Sequence, residues 1–129
     1  MNILGFNAPE WFIANNGAQL ASAIAAGIYT TNLAEACFYI TNHSKAKIVV
    51  LEDNKQLKKY VAAKSTCPAL EYLVMYAEEP DEAVVSQIIG GIKVMNWKSF
   101  LEIGAEIPTA DVEARSAAVK PGNCSTLIY

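Results

Sequence analysis

His43 is the only histidine of the chain, so it is the first candidate for a general base. A Ser-His-Asp or Cys-His site needs that base oriented by a third group. His43 stands between Asn42 and Ser44 at the end of a helical pattern, where a capping or surface role fits better. The thiols Cys37, Cys67 and Cys124 are odd in number and scattered, with no C-x-x-C pair for zinc or redox work. Neither Cys37 nor Cys67 has a basic neighbour in sequence to lower its pKa, so both read as ordinary thiols in a reducing compartment. A metal centre wants several ligands at fixed spacing, and none is expected from this set.

Two charge clusters remain. Glu78, Glu79, Asp81 and Glu82 could face a hard cation, but they lack EF-hand spacing and read as a solvated loop. Lys55, Lys58, Lys59 and Lys64 could touch a phosphate or an anionic surface, yet read as the solvated face of one helix. Ala63-Lys64-Ser65-Thr66 has the tail of a phosphate loop without its glycines, and Gly5-Phe6-Asn7-Ala8-Pro9 lacks the turn of a dinucleotide fingerprint. The sequons at Asn42 and Asn123 read as chance matches, since no secretion signal precedes them. The residues alone assemble no catalytic constellation.

The elements that would position these groups alternate strand and helix. Ile3–Phe6 is a short apolar run ended by Asn7 and Pro9. Asn7-Ala8-Pro9-Glu10 is a helix start with Asn7 as the capping residue, and the helix is expected from Pro9 to Ala26 with Gly27 as its stop. Ile28–Thr31 is the next strand, and Asn32 is expected to cap a helix through Ile40. Ile48-Val49-Val50-Leu51 is the continuous β-branched type of run that suits a parallel strand buried on both faces. Asp53 or Asn54 caps a third helix, closed by Pro68, and Tyr72–Tyr76 is a strand. Ala83–Val94, split by Gly90-Gly91, reads as loop with a short strand, and Asn96 starts a helix ended near Gly104. Thr109 opens another, and Cys124–Tyr129 is a final strand. This order predicts an α/β fold: a mainly parallel sheet built from βαβ units with helices on its faces.

Composition sets the outer bounds. The chain has 129 residues, 53% hydrophobic and 18% charged, with mean hydropathy +0.20. That excludes intrinsic disorder. A net charge of −3 gives no electrostatic footprint for nucleic acid. Trp11 to Ala34 carries no charge, but its polar residues, Gly27 and Thr30-Thr31 favour a buried helix and strand over a membrane span.

Several segments, in order along the chain, resemble the adenylate-forming acyl-CoA synthetases, and among them the long-chain bubblegum type. They are Ile3–Asn7 with Pro9–Ile13, Gly27–Asn32, Glu35–Cys37, Asn54–Leu57, Trp97–Gly104, Ile107-Pro108 and Asn123–Tyr129. Ser22-Ala23 or Ala23-Ile24 departs from the family, whose members tend to have a glycine pair there.

The resemblance implies that residues 1–129 are part of a larger N-terminal domain, incomplete at both ends. It implies a parent that joins a fatty acid to AMP with release of pyrophosphate and then transfers the acyl group to coenzyme A. ATP, Mg2+ and coenzyme A are then its cofactors and co-substrates, and the rest of the N-terminal domain is a partner. In the family a Thr-Ser-Gly-Thr-Thr-Gly phosphate loop follows a strand ending like Leu127-Ile128-Tyr129, so Tyr129 is the one candidate cofactor-binding residue, as the flank of that loop. No catalytic or metal residue is expected within the chain, and the isolated chain is expected to be inactive. A cytoplasmic location follows, with peripheral association at the cytosolic face of the endoplasmic reticulum as an option. Two rivals stand beside this reading: a non-catalytic βαβ binding or regulatory module, and a ligase of the same superfamily acting on another carboxylic acid.

Overall fold

The computed structural model describes residues 1–129. Six strands form one all-parallel sheet: β1 (Asn2–Leu4), β2 (Ala25–Ile28), β3 (Ile48–Leu51), β4 (Tyr72–Met75), β5 (Lys93–Asn96) and β6 (Thr126–Leu127), in the order β5-β4-β3-β1-β2-β6. The helices are α1 (Pro9–Leu20), α2 (Ala34–His43), α3 (Asn54–Lys58), α4 (Ala63–Thr66), α5 (Glu82–Val85), α6 (Trp97–Ala105) and α7 (Thr109–Ala117). The α/β class and the parallel sheet are those expected from the sequence.

The central strands are apolar on both faces because helices cover both. Leu4, Val49, Leu51, Leu73 and Met75 point to one side, where they meet Cys37 and Ile40 of α2, Leu57 of α3 and Ala63 of α4. Ile3, Val50 and Val74 point to the other, against Ala14 and Trp11 of α1 and Trp97 and Phe100 of α6. This is the period-2 alternation of a pleated strand. All eight of these strand side chains are fully buried, each worth about 1.5–3 kcal/mol of transfer free energy. No helix is long and apolar enough to cross a membrane.

The first helix departs from expectation. It ends at Leu20, and Ala25–Ile28 forms β2 where helix was expected to Ala26. Ser22 adopts φ +59°, a left-handed conformation that terminates helices. Beyond it, pairing with β1 on one side and β6 on the other makes a strand of an alanine-rich segment. The cap shifts too. Proline at the first helical position forces its predecessor to be extended, so Ala8 and not Asn7 is the N-cap, without a side-chain bond.

Other boundaries move by tertiary context. Ile28–Thr31 was expected as strand, yet Tyr29–Asn32 is a turn closed by the Asn32 N–H on the Tyr29 carbonyl at 3.0 Å. Leu33 is the N-cap of α2, so Asn32 does not cap it. The single helix expected after Asp53 is two, α3 and α4, with Asp53 capping the first through Gln56. Within Ala83–Val94 the structure has α5 and the start of β5, and Asn96 caps α6 as expected, accepting from the Ser99 N–H at 2.8 Å.

Candidate functional site

From β1 the chain moves to β2 on one side, whereas from β3 it moves to β4 and β5 on the other. The carboxyl ends of β1 and β3 therefore flank a topological switch point, the usual ligand position in open α/β sheets. Here that crevice is filled. The Phe6 N–H donates to Glu52 Oε2 at 2.9 Å, and the Tyr76 hydroxyl donates to the Phe6 carbonyl at 3.0 Å. Gly5 leaves room for this closure: a Cβ there would collide with the Tyr76 hydroxyl and stand 2.9 Å from Glu52 Cβ. Burial first, and then the negative charges of Glu52, Glu10 and Asp53, push the Tyr76 phenol up to about 12.

The open concavity lies one strand away, at the carboxyl ends of β1, β2 and β6. It is a cleft of about 580 Å³ walled by Gly5, Phe6, Asn7 and Trp11, by Gly27–Thr31, and by Thr126–Tyr129. The Trp11 indole lies over Gly27, where an added Cβ would stand 3.5 Å from its Cζ2, an ordinary contact. No lining side chain carries a charge. The polar groups are hydroxyls of tyrosine and threonine, the Asn7 amide and backbone. Such a wall suits an apolar ligand segment bordered by hydroxyl groups. It has no lysine or arginine to meet a triphosphate, and no group of three or more His, Cys, Asp or Glu converges anywhere to hold Mg2+.

Tyr129, the site residue inferred from sequence, stands at the rim of this cleft. Its hydroxyl lies 2.8 Å from His43 Nδ1; His43 is exposed, as the surface reading expects, yet it is held by a partner from the end of β6. Burial and then the neighbouring Tyr39 raise the Tyr129 pKa above the ordinary phenol value.

The lysines do not form one solvated face. Lys55 and Lys58 are exposed on α3, but Lys59 Nζ donates to the Thr30 and Asn32 carbonyls at 2.9 and 2.7 Å, and Lys64 Nζ to those of Pro68 and Leu70 at 3.1 and 2.9 Å. The acid cluster is exposed, as a solvated loop should be, but Glu78 and Glu79 are engaged. Glu78 Oε2 accepts from the Asn54 N–H and Nδ2, Asn54 Oδ1 accepts from the Asp81 N–H, and the Glu79 carboxylate accepts from Asn96 Nδ2. Together they tie the loops at the carboxyl ends of β3, β4 and β5. Cys37 and Cys67 are buried, and burial raises both thiols; Lys59 opposes that rise at Cys37 and is the basic neighbour that sequence proximity did not reveal.

Residues 2–129 match the family described as AMP-binding enzyme. The chain belongs to the AMP-binding enzyme family. Among curated relatives, it is 40% identical over 129 residues to the long-chain-fatty-acid–CoA ligase ACSBG2 of Xenopus laevis, covering 100% of this chain and 16% of that protein. It is 35% identical over 127 residues to the mouse ligase ACSBG1, covering 98% and 17% respectively. Human ACSBG2 is 35% identical over 132 residues, covering 100% and 18%. The chain thus spans only 16 to 18% of the length of these relatives, and the similarity extends over the cleft, the filled switch point and the whole sheet.

Proposed function

We propose that this chain is a segment of the N-terminal domain of a long-chain fatty acyl-CoA synthetase, in which it supplies scaffold and an uncharged wall beside the acyl and nucleotide sites. The observation that carries this reading is the 35–40% identity to long-chain-fatty-acid–CoA ligases along essentially the entire chain. The uncharged cleft ending at Tyr129 supports it, because an alkyl chain gains about 0.8 kcal/mol per buried methylene only on an apolar wall.

In the reaction proposed for the full-length protein, a fatty-acid carboxylate oxygen attacks the α-phosphorus of ATP and the bond to the pyrophosphate breaks. The coenzyme A thiolate then attacks the acyl carbon and AMP leaves. Mg2+ would supply charge neutralisation on the phosphates when bound. The residues of this chain hold Phe6 and Trp11 against the ligand, keep charge away from the acyl segment and fix the strand exit at Tyr129. Donors for the phosphates come from elsewhere in the protein, so the isolated chain is inactive in this account. This reading carries a cytoplasmic location, with peripheral association at the cytosolic face of the endoplasmic reticulum as its option.

The test is thioester formation by the full-length protein with coenzyme A, ATP and a panel of palmitate, oleate, acetate and benzoate. Turnover of palmitate and oleate well above acetate and benzoate is expected. Preference for acetate or benzoate would move the protein to another acid, and no turnover with any acid would leave a non-catalytic module.

A further inference from the structure

We propose that Lys59 is the positioning residue of the cleft, holding the Tyr29–Asn32 turn in the shape that forms one of its walls. Lys59 caps the C-terminal end of α3, an element with no residue in the cleft. Its ammonium nevertheless reaches across to β2's outgoing loop. It donates to the Thr30 carbonyl at 2.9 Å and to the Asn32 carbonyl at 2.7 Å, on either side of Thr31. Tyr29, Thr30 and Thr31 are all cleft residues.

The turn has little else to hold it. Its internal tie is the Asn32 N–H on the Tyr29 carbonyl at 3.0 Å, and the Cys37 thiol adds a long contact of 3.8 Å to the Asn32 carbonyl. Tyr29 and Thr31 are exposed, so burial does not fix them. Lys59 itself is half-buried and belongs to neither ion pair of the chain, which are Lys47–Glu71 and Lys98–Glu102. Its charge is therefore directed at backbone oxygens, and charge-assisted hydrogen bonds are about twice as strong as neutral ones. An ammonium offers three donors on a compact head, so one group can bind two carbonyls at once. Asn32 immediately precedes the Leu33 N-cap, so the same contact sets the entry into α2.

This inference rests on reading the cleft as a ligand wall, and its test has one arm that does not depend on the ligand. In the 129-residue chain, amide exchange of Asn32 is compared with that of Val50 and Leu73 in wild type, Lys59→Met and Lys59→Arg. Lys59→Met is expected to accelerate Asn32 about tenfold or more while Val50 and Leu73 keep their wild-type rates, since local opening is separable from global unfolding. Lys59→Arg is expected to recover most of the protection. An unchanged Asn32 rate overturns the proposal, as does a rise shared equally by Val50 and Leu73, which would make Lys59 a support of the fold alone. In the second arm, the polyene cis-parinaric acid is titrated into the same proteins. Where wild type binds it, Lys59→Met is expected to weaken binding about tenfold, and equal affinity would overturn the positioning role. Absence of binding by wild type would count against the acyl reading of the cleft, while the exchange arm still decides the role of Lys59.

Discussion

His43 Nδ1 lies 2.8 Å from the hydroxyl oxygen of Tyr129, joining the last turn of α2 to the chain leaving β6 across 86 positions of sequence. The Tyr39 ring stacks on the imidazole at 5.6 Å with an interplanar angle of 13°, and the Tyr129 ring meets it edge-on at 5.7 Å and 87°. β6 is only two residues long, so this aromatic contact fixes a strand exit that two ladder positions alone would hold loosely.

His43→Ala should release the Tyr129 ring. Its aromatic proton shifts should move toward those of an unstructured tyrosine, and urea unfolding should show a loss of about 1 kcal/mol, the scale of one net hydrogen bond. Unchanged Tyr129 shifts would show that the strand exit is held by other contacts.

Gly5→Ala should destabilise the chain, because the new methyl occupies space held by the Tyr76 hydroxyl. Overpacking of this kind costs about 1–3 kcal/mol. Gly5→Ala combined with Tyr76→Phe should be less destabilised than the sum of the two single changes, as thermal melts of the four proteins would show. Simple additivity would mean that Tyr76 does not fill the switch point.

Alkali should unfold the chain partly through Tyr76. Its folded pKa, pushed up to about 12, lies above the unfolded value near 10. Between these values the unfolded chain has lost a proton that the folded chain keeps, so stability must fall as pH rises. The contribution is complete below about pH 10 and lost through about pH 12. Urea midpoints measured from pH 8 upward should decline in wild type and decline less steeply in Tyr76→Phe; identical slopes would exclude this source.

Ser22 occupies φ +59° while its hydroxyl donates to the Arg115 carbonyl at 2.6 Å, tying the end of α1 to α7. Ser22→Gly removes left-handed strain of about 1–2 kcal/mol and loses a bond of about 1 kcal/mol, so it should be close to neutral. Ser22→Ala keeps the strain and loses the bond, so it should be destabilised by about 1 kcal/mol. Chemical denaturation of both variants checks the order, which a more stable Ser22→Ala would reverse.

Much of this fold was legible where a residue's own chemistry decides its conformation. Ile48–Leu51 was bounded correctly because four consecutive apolar residues need cover on both faces, and the Asn96 cap, with the Asp53-or-Asn54 alternative, because short polar side chains accept from the next turn. Ala25–Ile28 was not legible. Alanines favour helix, and only the neighbouring β1 and β6 make that segment a strand. The site divides in the same way. Tyr129 could be singled out only through the family resemblance, and Lys59 only as one of four clustered lysines, never for its own role. Its partners are carbonyls 29 and 27 positions away, and a backbone carbonyl leaves no mark on residue type.

The central claim is that this chain forms part of a fatty-acid-activating enzyme whose phosphate-binding donors lie outside it. ATP–pyrophosphate exchange driven by a long-chain fatty acid measures the first half-reaction alone, and can be run on the 129-residue chain and on the full-length protein that carries it. The account predicts exchange by the full-length protein and none by the chain. Exchange by the chain would place the nucleotide site within residues 1–129, and no exchange by the full-length protein with any fatty acid would contradict the ligase assignment itself.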